Sequence, residues 1–206
     1  MPNPNLSILD ANLAAQLIAA MSDADGSLIL VRSSEHRKPT FRYAGTFTPV
    51  ATPTDVIMIK GSATKTLRVK RIALGGVATS NGNMPAQLIR RSTQFTTQGT
   101  AVFNAVTAGG YDTSDAAATG AVATIGTANI TSLGTAVGGS LGQGRLFLST
   151  TSTGTPSPLV WDFATRQDKP IILRGVSDFL FVNLVGAAVP AGGVIDYEIQ
   201  IEEDAS

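Results

Sequence analysis

From Leu28 onward the chain alternates apolar and polar residues with a period of two, the pattern of strands whose two faces meet different surroundings. The last such run is the clearest. Over residues 194–201, Ile195, Tyr197, Ile199 and Ile201 share one face, while Asp196, Glu198, Gln200 and, just beyond, Glu202 share the other. One face then lies on a core, and the other meets water or a charged partner. Residues 159–163, 170–173 and 179–185 precede it as three strands at regular spacing. Residues 28–31, 41–47, 56–60 and 87–91 read as strands too, with a turn at Asn81-Gly82-Asn83 and a loop punctuated by Pro49, Pro53 and Asp55. In residues 65–74, Leu67 and Val69 point one way and Arg68 and Lys70 the other. Arg71 breaks the phase before Ile72 and Leu74 resume it. One extra polar residue in an alternating strand predicts a β-bulge.

Two stretches depart from this pattern. In residues 1–26, Asp10 stands where a helix cap is expected, and Leu13, Leu17 and Met21 follow at helical spacing up to a turn at Asp23-Ala24-Asp25-Gly26. This predicts an N-terminal arm or short helix over 1–26, ahead of a domain over 27–206. Residues 92–157 are dominated by Gly, Ala, Ser and Thr, with only Asp112, Asp115 and Arg145 charged. Residues 102–106, 121–125 and 145–148 are candidate strands there. Small side chains bury little area at roughly 25 cal/mol per Å², so these strands need a neighbour, either the rest of the domain or another subunit. Many short strands separated by turns give an all-β fold, a jelly-roll-like antiparallel β-sandwich.

Composition narrows the function. The 206 residues include no cysteine, which removes disulfides and thiolate metal sites. Lys and Arg number 15, as do Asp and Glu. A nucleic-acid binder generally carries a basic excess that releases counterions from phosphate, so no nucleic-acid partner is expected. No run of 18 apolar residues is present, and no membrane-spanning helix is expected. Met1-Pro2-Asn3-Pro4 lacks the basic start of a signal peptide, so a soluble protein made without export by that route is expected.

The residues of catalysis are scarce. His36, in Ser34-Glu35-His36-Arg37-Lys38-Pro39, is the single histidine and reads as a solvated loop residue. No Gly-x-Ser-x-Gly elbow marks a nucleophile. Asp23-Ala24-Asp25-Gly26 starts like a calcium loop, but its third aspartate is missing and Ser34 stands where the closing glutamate belongs. Asp112 and Asp115 could pair for glycoside cleavage, yet spacing alone says little and loop solvation is the simpler reading. Residues 138–145 are glycine-rich without the lysine of a phosphate loop, and read as a loop or corner. No catalytic, cofactor-binding or metal-binding residue is assigned, and no enzymatic activity is expected.

Charge is unevenly distributed. No acidic residue lies between Asp55 and Asp112, a stretch holding Lys60, Lys65, Arg68, Lys70, Arg71, Arg90 and Arg91. From Val194 onward the charged residues are all acidic. Arg68 and Lys70 form one row, and Asp196, Glu198 and Glu202 another. Either each row faces water, or the two face each other across a sheet or between subunits.

Three stretches resemble small virion proteins of tailed bacteriophages: Tyr43-Ala44-Gly45-Thr46-Phe47-Thr48-Pro49, Ile59 through Ile72, and Leu173-Arg174-Gly175-Val176-Ser177-Asp178-Phe179-Leu180. The resemblance covers strand-forming parts and rests on packing motifs. It implies a virion structural protein made in the bacterial cytoplasm, foremost a capsid decoration or cement protein. Such a protein is expected to form a homo-oligomer, a trimer, and to bind the major capsid protein or another virion protein. The alternatives are a tail or head-fibre component, or a carbohydrate-binding module on the particle. Trp161, the lone tryptophan, is expected in the core rather than on a sugar-binding surface.

Overall fold

The computed structural model describes residues 20–22, 28–30, 38–150, 158–163 and 169–205. The chain divides into two compact units, Met1–Lys38 and Pro39–Ser206. In the first, β1 (Ala20–Ser22) pairs antiparallel with β2 (Leu28–Leu30), setting Met21 opposite Ile29. Most of the expected helix, and the turn at Asp23-Ala24-Asp25-Gly26, lie outside the described residues. Met21, its last apolar position, is in a strand. The β1–β2 ladder pairs the backbone of Ala20–Ser22. The division also falls after Lys38, so β2 goes with the N-terminal segment.

The second unit is all-β. Its strands are β3 (Thr40–Phe47), β4 (Asp55–Lys60), β5 (Lys65–Val77), β6 (Gly82–Arg91), β7 (Phe95–Thr97), β8 (Val102–Val106) and β9 (Gly109–Gly110), followed by β10 (Ala121–Gly126), β11 (Ser132–Leu133), β12 (Gly142–Leu148), β13 (Leu159–Asp162), β14 (Ile171–Arg174), β15 (Phe179–Asn183) and β16 (Val194–Ala205). One six-stranded sheet runs β12-β6-β15-β4-β10-β8. The other runs β13-β5-β16-β3-β9, with β14 also on β5. The ladders are antiparallel. From β3 to β6, and again from β14 to β16, each strand is followed by one in the opposite sheet. Neither sheet can therefore form its inner face without the other.

That inner face is the main core. Ile57, Ile59, Leu88, Leu146, Leu180 and Val182 from the first sheet meet Tyr43, Leu67, Ile72, Leu74, Ile199 and Ile201 from the second. Trp161 joins them, as expected. Each large apolar side chain buried this way contributes roughly 1.5–3 kcal/mol. Strand β16 keeps the alternation read from its sequence: Ile195, Tyr197, Ile199 and Ile201 are buried.

The expected bulge is present. On β16, Gln200 stands opposite Arg71 and the next residue, Ile201, opposite Val69, so Lys70 is the extra residue of β5. Without it, Val69 and Ile72 could not both face the core, because a one-residue slip moves a side chain to the other face. A second bulge lies at Val56 of β4, where Val182 pairs with Ile57 and Asn183 with Asp55.

The stretch rich in small residues supplies β7–β11, and its neighbour is the sandwich itself. Phe179, Phe181 and Met58 on the outer face of the first sheet form a second apolar cluster with Ala101, Ala123, Ile125 and Ile130, bordered by Phe95, Phe103 and Leu133. This is why β4 and β15 are buried on both faces. Two boundaries differ from expectation. Gly82 and Asn83 belong to β6 rather than to a turn. The glycine-rich stretch becomes strand from Gly142 by pairing with β6, and glycine is needed there because a side chain at Gly142 would run into Trp161 and one at Gly144 into Leu159.

Candidate functional site

The two charged rows lie side by side within one sheet. β5 and β16 are neighbours, and Glu202 stands directly opposite Arg68. Lys70 Nζ donates to Glu202 Oε2 at 3.1 Å, and Arg68 Nε lies 3.6 Å from Glu202 Oε1. Arg68 also pairs with Asp204, which the sequence reading left out. The bulge explains the convergence: an extra residue on β5 lets two cations reach one carboxylate. Glu198 pairs instead with β3, accepting from Arg42 Nη2 at 2.6 Å. Asp196 stands exposed between Gly75 and Thr46, away from both cations. The structure thus brings Arg68, Lys70 and Glu202 together, and leaves Glu198 and Asp196 outside the group. Partly exposed pairs of this kind contribute about 0–1 kcal/mol each. Their larger effect is on register, since a one-residue slip would carry the charged row to the core face.

Other members of the basic stretch also find acids far along the chain. Arg90 forks onto Asp178, with Nε 2.8 Å from Oδ1. Lys65 Nζ lies 3.2 Å from Glu203. Glu203 is buried, and accepts from the backbone nitrogens of Thr119 at 2.8 Å and Gly120 at 2.9 Å and from the Thr119 hydroxyl at 3.0 Å. Those bonds hold the segment before β10 against the end of β16. Beside it, Tyr43 donates to the Gly120 carbonyl at 3.0 Å, and burial, with the Glu203 charge adding to it, pushes its phenol up to about 12.

The most enclosed polar group is one that sequence reasoning missed. Arg91 donates through Nε and Nη2 to the two oxygens of Asp55, each at 3.1 Å. Asn183 Nδ2 donates to Asp55 Oδ1 at 2.6 Å, and Arg91 Nη1 to the Gly134 carbonyl at 2.7 Å. The guanidinium carbon lies 5.5 Å from the centre of the Phe181 ring. All three polar residues are buried. The bulge at Val56 makes this arrangement possible by setting Asp55 opposite Asn183, on the outer face with Phe181. Arg91 then ties β4, β6 and the β11–β12 connection together. The only sequence signal was Arg91 itself, an arginine ending an alternating strand.

Asp112 and Asp115 form a turn. Asp112 Oδ1 accepts from the Ser114 nitrogen at 2.8 Å and hydroxyl at 2.7 Å, and these bonds hold its carboxyl below the usual range. Both aspartates line a cleft of about 460 Å³ with Phe41, Tyr43 and Val106. A carboxylate committed to its own turn is poorly placed for proton transfer. Among the described residues, no group of three or more His, Asp or Glu is placed to hold a metal ion. His36 and the calcium-like turn lie outside the described residues.

No family model, curated protein or solved structure matches this chain. The surfaces themselves therefore carry the functional reading. Exposed large apolar residues are spread over the described surface, and three of them lie along one lateral edge. β12 ends the first sheet, and the segment before it runs along β6, with the Val137 nitrogen donating to Arg90 O at 2.8 Å and the Leu141 nitrogen to Leu88 O at 2.9 Å. Val137, Leu141 and Phe147 of this edge are exposed, Phe147 at 42%. Val160, on β13 of the other sheet, is exposed on the opposite outer face. At the opposite edge, β9 sets Gly109 beside Arg42 and Gly110 beside Phe41, and Tyr111 follows at 59% exposure.

Proposed function

We propose that this chain is a structural, non-enzymatic protein of a bacteriophage virion. In this reading it is a decoration or cement module that associates with copies of itself and binds the capsid surface. The observation that carries the reading is the run of exposed apolar residues Val137, Leu141 and Phe147 along the β12 edge. Single exposed apolar residues are ordinary, but several along one open strand edge mark an association surface. The occupant is a second copy of the chain. Among the described residues β12 is the last strand of its sheet, and it brings to the second copy a strand edge and alternate side chains in one extended row.

Three further points support the reading. The winding between sheets, with strand orders β12-β6-β15-β4 and β13-β5-β16-β3, supports a jelly-roll reading, an architecture that offers lateral edges for contact. Arg68 and Lys70 of β5 are matched by Glu202 and Asp204 of β16 within the chain, which leaves association to the edges. The resemblance of residues 43–49, 59–72 and 173–180 to tailed-phage virion proteins points to the same place.

Sedimentation of the full chain tests the proposal. The wild type is expected to run as a homo-oligomer, a trimer, and the Leu141→Asp and Phe147→Asp variants as smaller, folded species that no longer bind particles. A wild type that is monomeric at high concentration and fails to bind capsids overturns it.

A further inference from the structure

We propose that the opposite edge of the second sheet, around Tyr111, is a binding site for a neutral pyranose sugar. A shallow groove of about 420 Å³ is lined there by Arg42, Ala44, Thr107, Gly109, Gly110 and Tyr111. That volume falls within the usual range for small-ligand sites, roughly 300–1,000 Å³. The inference is independent of the assembly reading, which concerns the β12 edge.

The groove follows from the sequence of β9. Paired strand residues point the same way, so Gly109 lies beside Arg42 on the outer face, and Tyr111, two residues on, shares that face. The Tyr111 nitrogen donates to the Thr40 carbonyl at 3.0 Å, extending the ladder under the ring. At Gly109 a side chain would meet nothing closer than the Arg42 carbonyl at 3.7 Å. The glycine thus leaves an open floor in front of an aromatic wall.

Tyr111 is exposed and yet fixed. Gln200 Nε2 donates to its hydroxyl at 2.8 Å, so the ring is held before any ligand arrives, and the phenolic hydrogen remains free to donate. Less ordering is then required on binding. Beside it, Arg42 and Glu198 form their ion pair, with the Arg42 side chain 52% exposed. The pair offers donors and an acceptor with no net charge. A ligand matching this surface has one apolar face, to lie on the tyrosine ring, and a rim of hydroxyls that both donate and accept. A hexopyranose has that form. The matched charges of Arg42 and Glu198 disfavour an anionic ligand.

Ligand-observed saturation-transfer NMR on the full chain tests the site, using methyl glucoside, methyl galactoside and methyl mannoside as neutral probes and sialic acid as the anionic one. At least one neutral glycoside is expected to bind with a dissociation constant on the order of 1 mM. Tyr111→Ala should weaken it roughly 10-fold or more, the loss of one aromatic contact. Gly109→Leu fills the floor at a position with room for a side chain, and should abolish binding with the fold intact. No saturable transfer with any neutral glycoside, binding of sialic acid alone, or binding unchanged in both variants overturns the proposal. Sedimentation of the same samples reads assembly separately, so loss of sugar binding in a correctly assembled oligomer bears on this site alone.

Discussion

Asp55 and Arg91 put two full charges into the interior, where removal from water costs several kcal/mol per ion. The cost is offset only because each charge meets so many partners. The carboxylate accepts from two of the three guanidinium nitrogens and from Asn183, and the guanidinium also reaches Gly134 and lies over Phe181. Taking away one partner should therefore hurt more than taking away both. Asp55→Ala leaves the guanidinium buried without its counter-ion and is expected to lower unfolding stability by about 3–5 kcal/mol. Asp55→Ala combined with Arg91→Met should recover part of that loss. Urea unfolding of the two variants checks this, and a double variant no better than the single one argues against a charge-driven effect. At this scale the sequence was legible where a residue's own chemistry decides, as for Trp161 in the core. It was silent on Asp55 and Arg91, because their meeting depends on a bulge and on strand pairings between distant parts of the chain.

Among elements, β5 and β16 tell most about what a pattern can carry. The phase break at Arg71 announced a bulge, and the structure puts the extra residue at Lys70, one position earlier. Alternation reports that a register shift exists, but only the partner strand fixes which residue is left unpaired. The charged rows were legible as rows, since residues two apart share a face. That they meet within one sheet was not, because β16 could have joined either sheet. Their complementarity has a consequence at the level of strands. Arg68→Glu with Lys70→Glu sets four acidic side chains together with Glu202 and Asp204, and is expected to destabilise the domain by about 1–2 kcal/mol, a few exposed pairs lost and like charges gained. Adding Glu202→Lys and Asp204→Lys should restore most of it, with the oligomeric state unchanged. Thermal unfolding at low and high salt checks both. Equal stability of all three forms at low salt makes the rows merely solvated.

For the whole molecule, the residues poor in large side chains proved to be cladding. β7–β11 carry too little apolar area to stand alone, yet Phe95, Phe103, Ile125 and Ile130 suffice to cover Phe179 and Phe181. Among the described residues, both sheets of the sandwich and the cover on its outer face are drawn from Pro39–Ser206. Its central strands β15, β4, β5 and β16 each have a partner on both sides drawn from Pro39–Ser206. The large side chains of its core likewise come from β3 and later strands. The sequence placed the N-terminal boundary near Gly26, because period-two alternation begins at Leu28. The contacts place it after Lys38, because β2 finds its partner in β1. A chain starting at Pro39 is therefore expected to keep the fold. Its melting temperature should stay within about 4 °C of the full chain, the shift that 1 kcal/mol gives a domain of this size. If the N-terminal unit is the arm that the virion reading expects, the same truncation should abolish incorporation into particles, since the missing contacts lie outside the sandwich. Circular dichroism melting and particle co-sedimentation read the two outcomes separately. A truncated chain that is insoluble, or melts far lower, makes the first unit part of the domain's stability. One that melts normally and still incorporates leaves the edge around Phe147 as the sole attachment surface.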